Sequence, residues 1–191
     1  MRTDVIEGFE RVAVPLDGRR AAAVAIVVSG DEPVIWLTRR VTGMRAHAGQ
    51  FALPGGRLDP GEDAVTAALR ELDEELGVTA ERADCLGLLD DYPTRSGYVI
   101  TPVVLRLPGE ARLHPNPAEV AHVHVIAVQE LAVEPRFLTI PESDRPVIQM
   151  PLAGHLVHAP TAAVLYQFRE AALHGRTTRV AHLEQPVFAW R

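Results

Sequence analysis

Two apolar runs rich in β-branched residues, Ala21–Ser29 and Val34–Arg40, stand either side of Gly-Asp-Glu-Pro. That pattern predicts two strands joined by a turn. The stretch LPGGRLDPGED that follows is punctuated by Gly and Pro and predicts a loop. Then the period changes. Val65, Ala68, Leu69, Leu72 and Leu76 recur at three- and four-residue spacing, which predicts a helix over Glu62–Leu76 with one apolar stripe. Glu62 and Asp63 suit its first turn, where the helix dipole favours negative charge. Gly77 suits the left-handed position just past its end.

Further strands are predicted at Asp84–Leu89, Tyr98–Leu107 and Val120–Val128. Pro102 has no N–H for a ladder, so a bulge or an edge position is expected there. The run PGEARLHPNPAE reads as a Pro-rich loop, and PESDRPVIQMPLAGHLVHAP as a longer irregular loop of a length that often serves function. TAAVLYQFREAALHG predicts a late helix ending on Gly175, and RVAHLEQPVFAW a closing strand. No repeat or low-complexity linker divides the chain, so residues 1–191 are expected to form one domain. Mixed strands with two helices predict an α/β sandwich around a mixed sheet.

Composition narrows the function classes. A formal net charge of −6 argues against nucleic-acid binding through a general basic surface, while leaving room for a phosphorylated small substrate in one cleft. One cysteine, Cys85, excludes an intrachain disulfide; it lies in an apolar run and reads as a buried strand residue. The acidic, interrupted N-terminal stretch is not a signal peptide, and Ala21–Val28 is far shorter than the roughly 20 residues a membrane span requires. A soluble, cytoplasmic protein is expected.

The chemistry concentrates in LRELDEELGV, where Glu71, Glu74 and Glu75 share one helical face. Like charges so placed oppose the helix by a few tenths of a kcal/mol per pair, roughly. Carboxylate oxygens are the ligands that Mg²⁺ or Mn²⁺ prefer, so bound ions would offset the repulsion. Arg70 is positioned to pair one turn on with Glu74, and Gly56 lets the backbone come close enough to offer a carbonyl as a further ligand.

Gly56, Glu62, Arg70, Glu71, Leu72, Glu74, Glu75, Gly77 and Val78 together fill the spacing G-x5-E-x7-R-E-U-x-E-E-x-G-U, with U aliphatic. This resembles the Nudix box, here residues 56–78, and implies the family's α/β/α sandwich and a metal-dependent hydrolysis of a nucleoside diphosphate linked to another group. The metal set it implies is Gly56, Glu71, Glu74 and Glu75, with Arg70 beside them. Upstream, LTRRVTGMRAHAGQFALPGG resembles the signature of the coenzyme A diphosphatase branch, L-L-T-x-R-S-x3-R-x3-G-x3-F-P-G-G. Leu37, Thr38, Arg40, Arg45, Gly49, Pro54, Gly55 and Gly56 match; Trp36, Val41 and Leu53 depart. The resemblance implies that Arg40, Arg45 and Gly55 meet the substrate, coenzyme A or an acyl derivative, with the arginines gripping phosphate in a fork.

SGYVITPVV and PAEVAHVHVI also resemble that branch, and the family's use of an acidic residue beyond the box points to Glu119 as a further metal ligand or general base. The helix over Thr161–His174 is expected to stand where relatives carry a final helix. The partner is a small nucleotide, and a homodimer is left open. ADP-ribose, a nucleotide sugar or a nucleoside triphosphate remain alternative substrates, and a non-catalytic Nudix-fold sensor an alternative class.

Three patterns are set aside. His122 and His124 share a strand face without a third metal ligand and read as solvent-facing. His155 and His158 read as loop residues. Gly55-Gly56-Arg57 lacks the Lys-Ser/Thr of a P-loop.

Overall fold

The computed structural model describes residues 1–41 and 50–190. A short helix, α1 (Thr3–Glu7), precedes β1 (Arg20–Ser29) and β2 (Val34–Arg40), which form the expected antiparallel pair meeting at Ser29 and Val34. β3 (Phe51–Ala52) then pairs with β2. The Gly/Pro stretch expected to be a loop contains a short strand, β4 (Gly55–Arg57), on β1. Gly55 makes this possible. A Cβ there would run into the Ala23 carbonyl and lie 2.7 Å from the Val24 Cα.

α2 (Ala64–Leu76) carries the predicted stripe but starts two residues late. Asp63 is not in its first turn; it is the cap, accepting a hydrogen bond from the Thr66 N–H at 2.8 Å. A short carboxylate satisfies a free helix N–H better from the cap position than from within the turn. Gly77 ends the helix at φ 62°, in the left-handed region as expected.

β5 (Cys85–Leu88), β6 (Tyr92–Pro93), β7 (Tyr98–Leu107) and β8 (Val120–Ala127) complete a mixed sheet. Its order is β3-β2-β1-β7-β5, with β8 on the other edge of β2, β4 on β1 and β6 on β7. β1 and β7 run parallel in unbroken register from Arg20↔Tyr98 to Ser29↔Leu107. Pro102 is therefore neither at an edge nor in a bulge. It sits mid-strand where the outer neighbour changes from β5 to β6, and its carbonyl accepts from the Leu89 N–H at 3.0 Å. The irregularity lies across the ladder, between Cys85 and Gly87.

Alternation along β1 builds two cores. Ala23, Ala25 and Val27 face α2, packing with Ala68, Leu72 and Leu76. Ile26 and Val28 face the other way, into a core with Leu37, Val104, Ile126 and the second helical layer. That layer is α3 (Thr161–His174), which ends on Gly175 at φ 66°, as predicted.

The long stretch expected to be irregular, residues 141–160, instead holds two strands, β10 (Ser143–Leu152) and β11 (His155–His158), which join the preceding β9 (Arg136–Ile140) in a second sheet of antiparallel order β11-β10-β9. Its prolines are placed where they cost little. Pro146 lies inside the register break between Ser143 and Val147, and Pro151 lies beyond the last β9 pair, Gln149↔Arg136. Ala153 (φ 51°) and Gly154 (φ 73°) supply the two left-handed residues of a tight hairpin. His155 and His158 are thus strand residues. The C-terminal run is not a strand; it makes one bridge, Glu184 to Val147, and then a 3₁₀ turn over Val187–Ala189 after Pro186. Among the described residues, no helix is long and apolar enough to cross a membrane.

Candidate active site

Arg70 organises the outer half of the site. Its Nε donates to Glu62 Oε1 at 2.9 Å, Nη2 to Glu62 Oε2 at 3.1 Å and to the Arg57 carbonyl at 3.0 Å. Nη1 donates to Glu71 Oε1 at 2.9 Å and Glu74 Oε2 at 3.1 Å. The expected Arg70–Glu74 pair is present, but Glu62, eight residues back, is the forked partner. The glutamate in turn accepts from the Asp59 N–H at 2.8 Å, so the loop before α2 is tied to the helix. Arg70 holds the Glu62 carboxyl below its usual range. The motif spacing signalled Glu62 without revealing this role.

Gly56 and Glu71 meet at the loop–helix junction. A Cβ on Gly56 would collide with Glu71 Oε1 and lie 2.6 Å from its Cδ. The missing side chain is the space the carboxylate occupies. Burial raises the Glu71 pKa, Arg70 opposes that rise, and Glu74 and Glu119 add to it.

Glu75 is the innermost carboxylate, with a side chain only 2% exposed. Arg40, at the end of β2, lies 3.6 Å from its Oε1. Oε2 is buried without a hydrogen-bond partner among the described residues. Burial pushes the Glu75 pKa up to about 7, Arg40 and the Gly55 backbone resist, and Glu71 and Glu119 add repulsion. A strongly shifted carboxylate with a specific charge partner is a mark of functional sites.

Glu119 is brought in by a connection that sequence reading missed. The last carbonyls of α2 are satisfied by the Pro-rich loop: the His114 N–H donates to Leu76 O at 2.7 Å and the Asn116 N–H to Glu75 O at 2.9 Å. The half-buried Glu119 follows, with its carbonyl accepting from the Val41 N–H at 3.0 Å. The structure therefore gathers Glu71, Glu75, Glu119 and Arg40 into one electrostatic cluster, with Gly55 and Gly56 beside it. Glu74, 54% exposed, leans outward on Arg70. Arg45 lies outside the described residues.

Among the described residues, no three His, Cys, Asp or Glu side chains already converge as a closed metal site. The donor set nonetheless suits a hard cation: buried Glu75 and half-buried Glu71 and Glu119 in mutual repulsion, one orphaned oxygen on Glu75, and a Glu71 carboxylate seated against the Gly56 backbone. Two clefts, of about 410 and 580 Å³, lie at Arg95–Glu184 and at Trp36–Gly109; neither is lined by these carboxylates.

The residues set aside earlier lie elsewhere. His122 and His124 share a face of β8 with ring centroids 4.4 Å apart, and Phe51 and His155 close over His124 at 5.0 and 6.1 Å. His122 is exposed, whereas His124 is not solvent-facing as expected; it is half-buried, its Nε2 has no hydrogen-bond partner among the described residues, and burial lowers its pKa. Cys85 is half-buried in β5, and burial raises its thiol pKa.

The Nudix-domain family model matches residues 18–150, which span both the upstream arginine strand and the acidic helix. The chain belongs to the Nudix family. It is 39% identical over 115 residues to the Nudix hydrolase NudL of Photorhabdus laumondii, covering 60% of this chain and 62% of that protein. It is also 39% identical over 113 residues to NudL of Yersinia pestis, covering 59% and 57%. The match thus spans less than two thirds of these relatives. Solved Nudix structures share the fold: RenU from M. smegmatis (TM-score 0.56, 18% identity, 85% of this chain and 91% of that one) and a Nudix hydrolase from Nitrosomonas europaea (TM-score 0.58, 20% identity, 88% and 78%). The Nudix α/β/α sandwich around a mixed sheet is what this chain forms.

Proposed function

We propose that this Nudix protein is a Mg²⁺- or Mn²⁺-dependent diphosphatase that cuts coenzyme A or an acyl derivative to 4′-phosphopantetheine, or its acyl form, and adenosine 3′,5′-bisphosphate. The observation that carries the reading is the pair Glu71 and Glu75: one carboxylate seated where Gly56 has no side chain, the other buried with an unpartnered oxygen. Such an arrangement costs stability unless something cationic uses it.

Glu71, Glu74, Glu75 and the Gly56 carbonyl would hold the ions, with Arg70 fixing Glu71 and Glu74 in place. A bound ion supplies charge neutralisation for the diphosphate and a lowered pKa for an attacking water. Arg40 and Arg45 grip substrate phosphates, and Gly55 lets the backbone approach them. Glu119 takes the proton as water oxygen bonds to phosphorus and the bridging P–O bond breaks.

A mass-spectrometric product assay tests this with coenzyme A, dephospho-coenzyme A, ADP-ribose and a nucleoside triphosphate, each with Mg²⁺ and Mn²⁺. Release of adenosine 3′,5′-bisphosphate from coenzyme A is expected. Preferential cutting of ADP-ribose or a triphosphate would keep the diphosphatase and discard the substrate. Ligand-raised melting without turnover would make the protein a sensor.

A further inference from the structure

We propose that Arg40 couples divalent-ion binding to phosphate binding, pairing with Glu75 while the site is empty and with the substrate's phosphate once it is filled. The proposal rests on the diphosphatase reading and concerns the order in which that site is assembled.

The Arg40–Glu75 pair has the features of an exchangeable contact. At 3.6 Å its nearest approach is too long for a hydrogen bond, whereas Arg70 forks its partner Glu62 at 2.9 and 3.1 Å. The two arginines thus divide the site: among the described residues, Arg70 is locked by hydrogen bonds and Arg40 is not. The backbone of Arg40 is fixed, since its N–H donates to Gln50 O at 3.2 Å and the next N–H to Glu119 O. The guanidinium can therefore turn about a held stem.

The competition follows from charge. A divalent ion drawn to Glu75 meets a guanidinium already at Oε1, and two cations on one buried carboxylate repel each other. Glu71 and Glu119, the other acids in the cluster, add negative charge that favours both cations without separating them. A phosphate group resolves the conflict by offering Arg40 a forked acceptor, which leaves Glu75 to the ion. Coupling of this kind is reciprocal: phosphate tightens the ion by the factor with which the ion tightens phosphate.

The test is Mn²⁺ affinity, read from the free-ion EPR signal at pH 8.5, with and without a methylene-bridged diphosphate analogue of ADP. Wild type, Arg40→Gln, Arg40→Lys and Glu75→Gln are compared, with melting curves to establish folding. In wild type the analogue is expected to tighten Mn²⁺ by about 10-fold or more, within the usual range of coupling between sites. Arg40→Gln is expected to bind Mn²⁺ several-fold more tightly than wild type without the analogue and to gain less from it. Arg40→Lys retains the competing charge and is expected to stay near wild type without the analogue; if Arg40→Gln does not fold, Arg40→Lys matching Glu75→Gln in affinity would overturn the proposal. Unchanged or weaker Mn²⁺ affinity in folded Arg40→Gln, or an undiminished analogue effect, would also overturn it. If wild type binds no Mn²⁺, or Glu75→Gln binds it equally well, the metal-site reading itself falls, and the coupling with it.

Discussion

Glu75 has two consequences that pull in opposite directions. As a proposed metal ligand it is indispensable, and Glu75→Gln is expected to lower kcat by several orders of magnitude with the fold intact. As a buried carboxylate it works against stability. Its pKa is about 7 in the folded protein against 4.5 for the free side chain. Between these values the folded protein holds a proton that the unfolded chain has released. The group's contribution to stability is therefore full below pH 4.5 and is lost as pH rises through 7. With chelator present, Glu75→Gln should melt above wild type at pH 8.5, and the two should converge near pH 5. The shift caps the gap at roughly 3 kcal/mol, and loss of the Arg40 pair reduces it. Parallel curves at both pH values would mean the carboxylate carries no burial penalty. Gly56 makes a companion prediction: Gly56→Ala places a methyl group in the Glu71 carboxylate, so at least a 10-fold fall in kcat is expected, on the scale of misplaced catalytic groups. Wild-type turnover would show that Glu71 can move aside.

At the scale of elements, α2 and the loop that closes on its end decide whether the site is assembled. Gly77 adopts φ 62°, and a Cβ there would lie 2.8 Å from the His114 Cβ. Gly77→Ala should cost on the order of 1–2 kcal/mol from the left-handed backbone alone, and the clash adds to that. Because the same loop carries Glu119, kcat should fall as well at temperatures where the protein is folded. Adding His114→Gly, which removes the opposing Cβ, should recover part of kcat; a lower Tm with normal kcat in Gly77→Ala would show that the loop does not place Glu119. This helix was legible in the sequence because its stripe, its closing glycine and its acids all follow local spacing. β9, β10 and β11 were not. Pro141, Pro146 and Pro151 argue against strands locally, and only the positions of their partners, at a turn, a register break and past a ladder's end, make them harmless. The loop over His114–Asn116 was hidden for the same reason: its donors are backbone groups whose acceptors lie about 40 residues away.

The whole molecule is closed by a pair of acids that local pattern did not single out. Asp90 and Asp91 fill the break between β5 and β6, and both are buried. Asp91 accepts from Arg11 Nε and Nη2 at 3.0 and 2.8 Å, from Thr101 Oγ1 at 2.7 Å and from the Val14 N–H at 3.0 Å. Asp90 accepts from the Val12 N–H and Arg179 Nη1 at 2.7 Å and from Gln167 Nε2 at 2.8 Å. The segment before β1, the central sheet, α3 and the run after it therefore meet at two adjacent carboxylates. Asp91→Ala removes the acceptor from four donors. Breaking a buried ion pair costs about 3–5 kcal/mol; because Arg11 is one-third exposed and can return to water, the lower end, about 3 kcal/mol, is expected from urea unfolding. The clasp shares no residue with the Glu71–Glu75–Glu119 cluster, so kcat per folded molecule should be unchanged. Limited proteolysis should cut faster before Arg20, and that cutting should track the fall in global stability. If residues 1–19 become sensitive while the urea midpoint stays at its wild-type value, that segment is an arm that opens alone, and the acids hold only the arm.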